Sequence, residues 1–219
     1  MPVRIDHAER RFLLAQAVWR ITLRDGLREA SVRGVAREAE LSMGSVRYFF
    51  STQDELRRFA MRELIDKIGR RITAGAELRI ADAREGRVVD AREGRVVEAA
   101  LALLLELLPL DEERRNEACV YQAFVAEAAN DSVIAELRQE ADDGVRQQCR
   151  HTLESLAEFG HVAASRAIDI EIERLHALLD GLTAHLLARP ADTPFARVEE
   201  LLLTHLYDLG KPGYRGGHQ

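Results

Sequence analysis

The residue types best suited to contacting a partner lie close together near the start of the chain, in the segment MGSVRYFF at residues 43–50. Val46 and Phe50 are four residues apart, so on a helix they share one face and are expected to pack into a core. The opposite face carries small, polar and cationic residues: Gly44, Ser45, Arg47 and Tyr48. Arginine can pair with guanine edges or phosphate, tyrosine can reach a phosphate oxygen, and glycine lets the backbone approach closely. The segment therefore predicts contact with a DNA groove, and an ordinary helix corner with a solvated Arg and a half-buried Tyr is the alternative.

Two short predicted helices, at residues 32–39 and 43–50, position these side chains, and only three residues join them. The pattern has a small residue inside the first helix, Ala36, an apolar turn residue, Leu41, and a hydroxyl residue before the second helix, Ser42. These are features of a helix-turn-helix, in which the second helix enters the major groove.

The rest of the chain predicts an all-α protein. Residues 3–108 and 110–189 contain no proline, and their apolar residues recur at spacings of three and four, which favours long helices over strands. The predicted helices cover residues 7–25, 32–39, 43–50, 54–80, 88–108, 112–130, 132–159, 167–189 and 195–209. Gly26 suits a helix C-terminus. The residues expected to cap helix N-termini are Ser31, Ser42, Asp111 and Asp131.

Charge divides the chain unevenly. The net charge is −6, but residues 1–50 hold nine Arg with six Asp or Glu, a balance of +3, while the remaining 22 basic and 31 acidic residues give −9. We call residues 1–50 the head. Its positive charge can favour an approach to phosphates, although a chance fluctuation of charge over fifty residues is the alternative. We predict a helix-turn-helix domain over residues 1–52, a larger helical effector-binding and dimerisation domain over residues 53–209, and a disordered tail over residues 210–219.

A perfect tandem repeat interrupts this organisation. The octapeptide DAREGRVV occupies residues 82–89 and recurs at residues 90–97. Eight residues are about 2.2 helical turns, so the second copy would be rotated by roughly 80° against the first and could not keep one packed face. The repeat is predicted to lie in a connection or at its exposed edge, as a short duplication without function.

Several protein classes are excluded by composition. No uncharged stretch approaches the roughly 18 residues of a membrane span, and the N-terminus has no apolar signal segment. Two cysteines, Cys119 and Cys149, do not suggest a disulfide framework. No histidine pair, acidic cluster or glycine loop has the spacing of a metal, catalytic or phosphate site. We predict a soluble cytoplasmic protein that is no enzyme and uses no membrane, metal or cofactor.

The head resembles a known family. The sequence GLREASVRGVAREAELSMGSVRYFFSTQDEL, at residues 26–56, is similar to the N-terminal domain of TetR-family transcriptional regulators, and LLPLDEERRNEACVYQAF, at residues 107–124, resembles the ligand-binding domain of the BetI-like branch. The resemblance implies a dimeric, all-helical repressor whose C-terminal domain holds a small-molecule effector. It also implies a set of DNA-binding residues: Ser31, Arg33, Ser42, Met43, Gly44, Ser45, Arg47, Tyr48 and Phe49.

Three positions depart from the family pattern. Glu40 stands where the turn usually has glycine, at a position that often needs a positive φ angle. Arg47 replaces a frequent tyrosine, so no operator preference can be carried over. Gln53 replaces a frequent phosphate-contacting lysine, which places more of the expected affinity on the arginines.

Apolar stripes in the last two predicted helices suggest a homodimer. Residues 168, 172, 175, 179, 182 and 186 step by three and four, and we call this stripe the seam. A second, flatter stripe on the same helix contains Leu178, Gly181 and Ala184, and the final helix adds Phe195 and its own stripe. The predicted dimer contacts are Ile172, Leu175, Leu178, Leu179, Gly181, Leu182, Leu186, Val198, Leu202 and Leu206. Two helices from each subunit would form a four-helix interface, whereas stripes that face only the chain's own core are the alternative.

The effector site is predicted only in outline. One face of the sixth predicted helix combines apolar and polar groups, as a small-molecule cavity does: Glu117, Tyr121, Gln122 and Phe124. A filled core would show the same residue pattern.

The function predicted from the whole sequence is a homodimeric repressor that binds a palindromic double-stranded DNA operator and is released by a small molecule. A helical ligand-binding or scaffold protein without operator binding is the alternative.

Overall fold

The computed structural model describes residues 7–84, 92–190 and 196–213, and within these ranges it contains nine α-helices and no strand. The predicted all-α class is confirmed. The helices are α1 (His7–Asp25), α2 (Val32–Glu38), α3 (Met43–Phe49), α4 (Gln53–Arg84), α5 (Arg92–Glu106), α6 (Glu112–Val125), α7 (Ser132–Glu158), α8 (Ile168–Ala188) and α9 (Ala196–Asp208).

The helix ends agree with the predicted ends to within a few residues, except at α6. That helix ends at Val125 instead of residue 130, because the backbone then tightens into turns in which the Glu127 N–H donates to the Phe124 carbonyl and the Asn130 N–H to the Glu127 carbonyl. A short 3₁₀ turn, Leu27–Glu29, was not predicted. The tandem repeat is not confined to a connection as predicted, because residues 82–84 end α4 and residues 92–97 begin α5, with Val97 buried in a core. The centre of the repeat, Phe195 and residues 214–219 of the tail lie outside the described residues, so the predictions for them stay untested.

The four predicted N-caps are confirmed, and they explain where the helices begin. Each short polar side chain accepts a hydrogen bond from a backbone N–H of the first turn, which otherwise has no partner. The distances are 3.1 Å for Ser31 with Gly34, 3.0 Å for Ser42 with Ser45, 2.7 Å for Asp111 with Arg114 and 2.9 Å for Asp131 with Val133.

The described residues pack into two compact units. The first unit runs to Gly69 and includes Arg115–Ala141, and the second comprises Arg70–Arg114 and the chain from Asp142 onward. Each unit has its own core. These units are defined by packing, whereas the predicted boundary after residue 52 separates two roles, so that boundary stays a prediction.

Long-range contacts fasten the first three helices to α4 within the first unit. The Trp19 indole N–H donates to the Ala60 carbonyl over 2.9 Å, which joins α1 to α4. The Arg57 guanidinium donates to the Leu27 carbonyl over 2.7 Å and holds the 3₁₀ turn before α2. These contacts fix the helix-turn-helix on a rigid support, which a groove-binding element needs.

The second unit shows that the seam faces the chain's own core. Eight of the ten predicted dimer contacts are buried there without any partner chain: Ile172, Leu175, Leu179, Leu182, Leu186, Val198, Leu202 and Leu206. Their assignment as a subunit surface is therefore corrected, because side chains already covered within one chain leave no apolar surface for a second. Leu178 is half-buried and Gly181 is exposed.

A different stripe of α8 remains exposed. It steps by four and three along the helix and, except for one arginine, consists of apolar and small residues: Ile170, Arg174, Ala177, Gly181, Ala184 and Ala188. On α9 the exposed face carries Leu201, Thr204 and Tyr207. We call these two faces together the α8/α9 surface. No helix in the described ranges is long and apolar enough to cross a membrane.

Candidate DNA-binding site

The turn between α2 and α3 is a tight, fully hydrogen-bonded helix end. The Leu41 N–H donates to the Ala36 carbonyl over 2.8 Å and the Glu40 N–H to the Arg37 carbonyl over 3.2 Å, the two bonds of a Schellman motif. Glu40 has a φ angle of 55°, and no other non-glycine residue in the described ranges has a positive one. The prediction that this position needs a positive φ is confirmed.

Because Glu40 occupies a left-handed conformation that disfavours side chains, we expect Glu40→Gly to raise the free energy of unfolding by up to about 1 kcal/mol. Chemical denaturation of both proteins measures the change. Glu40→Ala is the control, since it removes the carboxylate but keeps the Cβ, and it should leave the strain in place. A Glu40→Gly protein no more stable than the wild type would contradict the strain argument.

Burial fixes the rotation of α3. Val46 and Phe50, the residues expected to face the core, have no exposed surface. The opposite side of the helix is open to solvent, with Tyr48 75% exposed and Met43 48% exposed. This orientation presents a cation, a phenol and a flexible apolar side chain on one short helix, which suits a groove lined by phosphates and base edges.

The structure separates the nine predicted DNA-binding residues into two groups. Six are exposed: Arg33, Ser42, Met43, Gly44, Arg47 and Tyr48. Ser31, Ser45 and Phe49 are half-buried. The hydroxyl of Ser31 caps α2, and the Phe49 ring lies 4.8 Å from the His7 ring, so these two residues already have structural contacts.

The arginines of the head differ in whether they form ion pairs with carboxylates. Arg20 and Arg24 bind the two carboxylate oxygens of Glu38 over 2.8 and 3.0 Å. Their hydrogen bonds lower the pKa of Glu38, so the carboxylate stays ionised and balances much of their charge. Arg33, Arg37 and Arg47 have no ion pair with a carboxylate in the described part of the chain. The exposed arginines of α2 and α3 therefore keep an unbalanced positive charge.

Two residues of this surface were not predicted from the sequence. Arg37 is exposed and lies four residues after Arg33, so the helical spacing could have identified it. His7 stacks near Tyr48 and Phe49, with ring centroids 6.2 and 4.8 Å away. No sequence signal connects residues so far apart, because only the packing of α1 brings them together.

Comparisons with known proteins agree with this geometry. Residues 96–211 match the model of the BetI-type transcriptional repressor C-terminal domain. The HTH-type transcriptional regulator PksA of Bacillus subtilis (strain 168) is 34% identical over 209 residues, 95% of this chain and 94% of that protein. A solved transcriptional regulator of Rhodococcus sp. Rha1 is 30% identical with a TM-score of 0.71, over 91% of this chain and 95% of that one. The chain belongs to the TetR family of transcriptional regulators.

TetR-family membership confirms the predicted class of function. The family and these relatives are transcriptional regulators, which are not enzymes, and TetR-family proteins bind DNA operators and small-molecule effectors. The fold agrees with a solved TetR-family regulator from Rhodococcus sp., which has a TM-score of 0.65 at 16% identity, over 92% of this chain and 98% of that one.

The four predicted effector-site residues of this TetR-family protein differ from one another in burial and in contacts. Glu117 is buried and its Oε1 lies 2.9 Å from Nζ of Lys67 on α4. Phe124 is fully buried in the core of the first unit, as the core alternative requires. Tyr121 is half-buried, and Gln122 is exposed. Their role in binding an effector stays a prediction.

Proposed function

We propose that this TetR-family protein is a repressor that binds a palindromic operator as a homodimer and leaves it when a small-molecule effector binds. Residues 1–52 would contact DNA, and residues 53–209 would bind the effector and join the subunits. Two α3 helices about 34 Å apart would read half-sites in successive major grooves. A protein that binds an operator on chromosomal DNA would act in the cytoplasm.

The observation that carries the proposal is the surface of α2 and α3. Arg33, Arg37 and Arg47 are exposed and unpaired among the described residues, whereas Arg20 and Arg24 of α1 share the carboxylate of Glu38. Tyr48 extends from the same short helix as Arg47. Cations without internal partners are available to displace counterions from DNA phosphates, which supplies most of the non-specific part of DNA affinity.

The α8/α9 surface is the part of the second unit that best suits a second copy. Its small residues allow two helices to approach closely, and its exposed Ile170, Leu201 and Tyr207 supply apolar area. Around Arg166 the ends of the two helices are joined: the guanidinium donates to Glu171 of α8 over 2.8 Å and to the Asp208 carbonyl of α9. A firmly joined pair of helices would contribute half of a four-helix interface.

For the effector, the ion pair of Glu117 and Lys67 offers the most specific chemistry. A charged group on an entering molecule would replace one partner of this pair, of which Glu117 is the buried member, and the half-buried Tyr121 lies one helical turn further along α6. A thermal-shift screen of small organic acids and amines identifies molecules that stabilise the wild type. Glu117→Gln should abolish that shift, whereas Asn116→Ala, on the exposed side of α6, should keep it.

Operator binding is tested by titrating the full chain against genomic DNA fragments at several salt concentrations. We expect the logarithm of the affinity to fall with the logarithm of salt by about 0.9 for each phosphate contact, so that binding weakens steeply. The same assay separates the two hypotheses, because a helical ligand-binding or scaffold protein would select no fragment at any salt concentration.

A further inference from the structure

Three potential metal ligands converge between α7 and α8 in the second unit. They are Asp142 near the middle of α7 and His176 and Asp180 on α8. The two residues on α8 are four apart, so their side chains share a face of the helix. One atom of each residue, a carboxylate oxygen or an imidazole nitrogen, lies within 4.8 Å of the other two.

The distances from His176 to the two carboxylates suit ligands around an ion and are longer than ordinary hydrogen bonds. Nε2 of His176 lies 3.5 Å from Oδ1 of Asp142 and 4.0 Å from Oδ2 of Asp180. A hydrogen bond would bring these atoms to about 3 Å. Ligands held about 2.1 Å from a common ion stand about 3.4 Å apart at a tetrahedral angle, and further apart at wider angles.

The His176 imidazole distinguishes this cluster from a group of exposed carboxylates, because a mostly buried side chain has a fixed orientation. His176 is only 7% exposed, and the described part of the chain offers Nε2 no hydrogen bond. The mostly buried side chain therefore points Nε2 at two carboxylates. Arg146, the nearby cation that joins α7 to α8, is already bound to both oxygens of Glu173. A cation held by all three groups would offset the repulsion of the carboxylates and give Nε2 a partner.

We propose that Asp142, His176 and Asp180 form a binding site for a divalent first-row transition-metal ion, with Zn²⁺ bound more tightly than Mn²⁺. One imidazole and two carboxylates suit this class, because the nitrogen disfavours Mg²⁺ and Ca²⁺ and the set lacks the thiolates that select Cu⁺. Asp180 is 74% exposed, so water can reach the remaining coordination positions. The ion would link α7 to α8 and stabilise the second unit.

Calorimetric titration of ZnCl₂ and MnCl₂ into the EDTA-treated, dialysed full-length protein tests the site. We expect one Zn²⁺ per chain, weaker binding of Mn²⁺, and a melting temperature that rises with Zn²⁺ because the unfolded chain does not assemble the three ligands. No binding, or an unchanged melting temperature at saturating Zn²⁺, would overturn the proposal. The readout needs no DNA, so it is independent of operator binding.

Conservative variants assign the binding to these residues. Asp142→Asn and Asp180→Asn remove one charge each at accessible positions, and each should weaken Zn²⁺ binding by at least about tenfold. His176→Gln should do the same, and the two aspartate variants keep the test open if this buried substitution impairs folding. Asp169→Asn, an exposed aspartate on α8 outside the cluster, is the control and should bind as the wild type does. Zn²⁺ binding that persists unchanged in the Asp142→Asn/Asp180→Asn double variant would come from other residues and refute the assignment.

Discussion

Arg47→Ala is expected to weaken operator binding by about 30-fold or more while leaving the melting temperature within about a degree of the wild type. The side chain is exposed on α3 and has no ion pair in the described ranges, so its removal breaks no internal interaction. Removing an arginine that binds a base or a phosphate costs about 1–3 kcal/mol of binding free energy, and a homodimer bears this cost in both subunits. Fluorescence anisotropy with a labelled operator measures the affinity, and circular dichroism measures the fold.

Two further variants sharpen this result. Tyr48→Phe removes only a hydroxyl from a 75% exposed side chain, so it should reduce affinity less than Arg47→Ala. Arg20→Ala is the matched control, since it removes the same charge from an arginine that is already bound to Glu38, and its effect on affinity should be small. If Arg47→Ala unfolds the head, or if Arg20→Ala weakens binding as much, then α3 does not present its arginine to DNA as proposed.

Gly181→Arg is expected to convert the dimer to monomers and to reduce affinity for a full palindrome by about 100-fold or more. The position is exposed on α8, and a Cβ built there meets no atom within 4 Å in the single chain. Arginine therefore fits the folded monomer and favours the helix, but it would collide with a second subunit packed on the α8/α9 surface. A monomer engages one half-site, so the second half-site is no longer bound by a tethered subunit.

Two comparison variants distinguish dissociation of the dimer from unfolding. Gly144→Arg makes the same substitution at an exposed α7 glycine that also has open space, and it should remain dimeric. Leu182→Asp places a carboxylate in the core of the second unit and should unfold that unit. Light scattering and operator titration on all four proteins give the result. A dimeric Gly181→Arg protein would show that the subunits meet on other surfaces.

Local features of the chain could be predicted from the sequence. The N-caps, the positive φ of Glu40 and the inward faces of Val46 and Phe50 all follow from residues within a few positions of each other. Such features depend on the backbone of one or two turns, and a short segment contains everything that determines them. The family resemblance rests on the same local spacing, and it predicted the class of function.

The seam could be predicted only in part. A spacing of three and four along α8 establishes that one face is apolar, but not whether that face is covered by the same chain or by a second one. The structure covers it within the second unit and leaves the stripe containing Gly181 exposed. Small side chains give little periodic signal, so the sequence indicated only part of the exposed stripe.

The sequence alone therefore determined an all-α chain, most of its helix ends, the helix-turn-helix and the orientation of the recognition helix, since each depends on neighbouring residues. Only the tertiary structure decided which apolar face is core, placed His7 beside Tyr48 and Phe49, and brought Asp142 of α7 to His176 and Asp180 of α8. These contacts join residues that are far apart in the chain. Their formation depends on how whole helices pack, and the spacing of residues within one segment does not predict that packing.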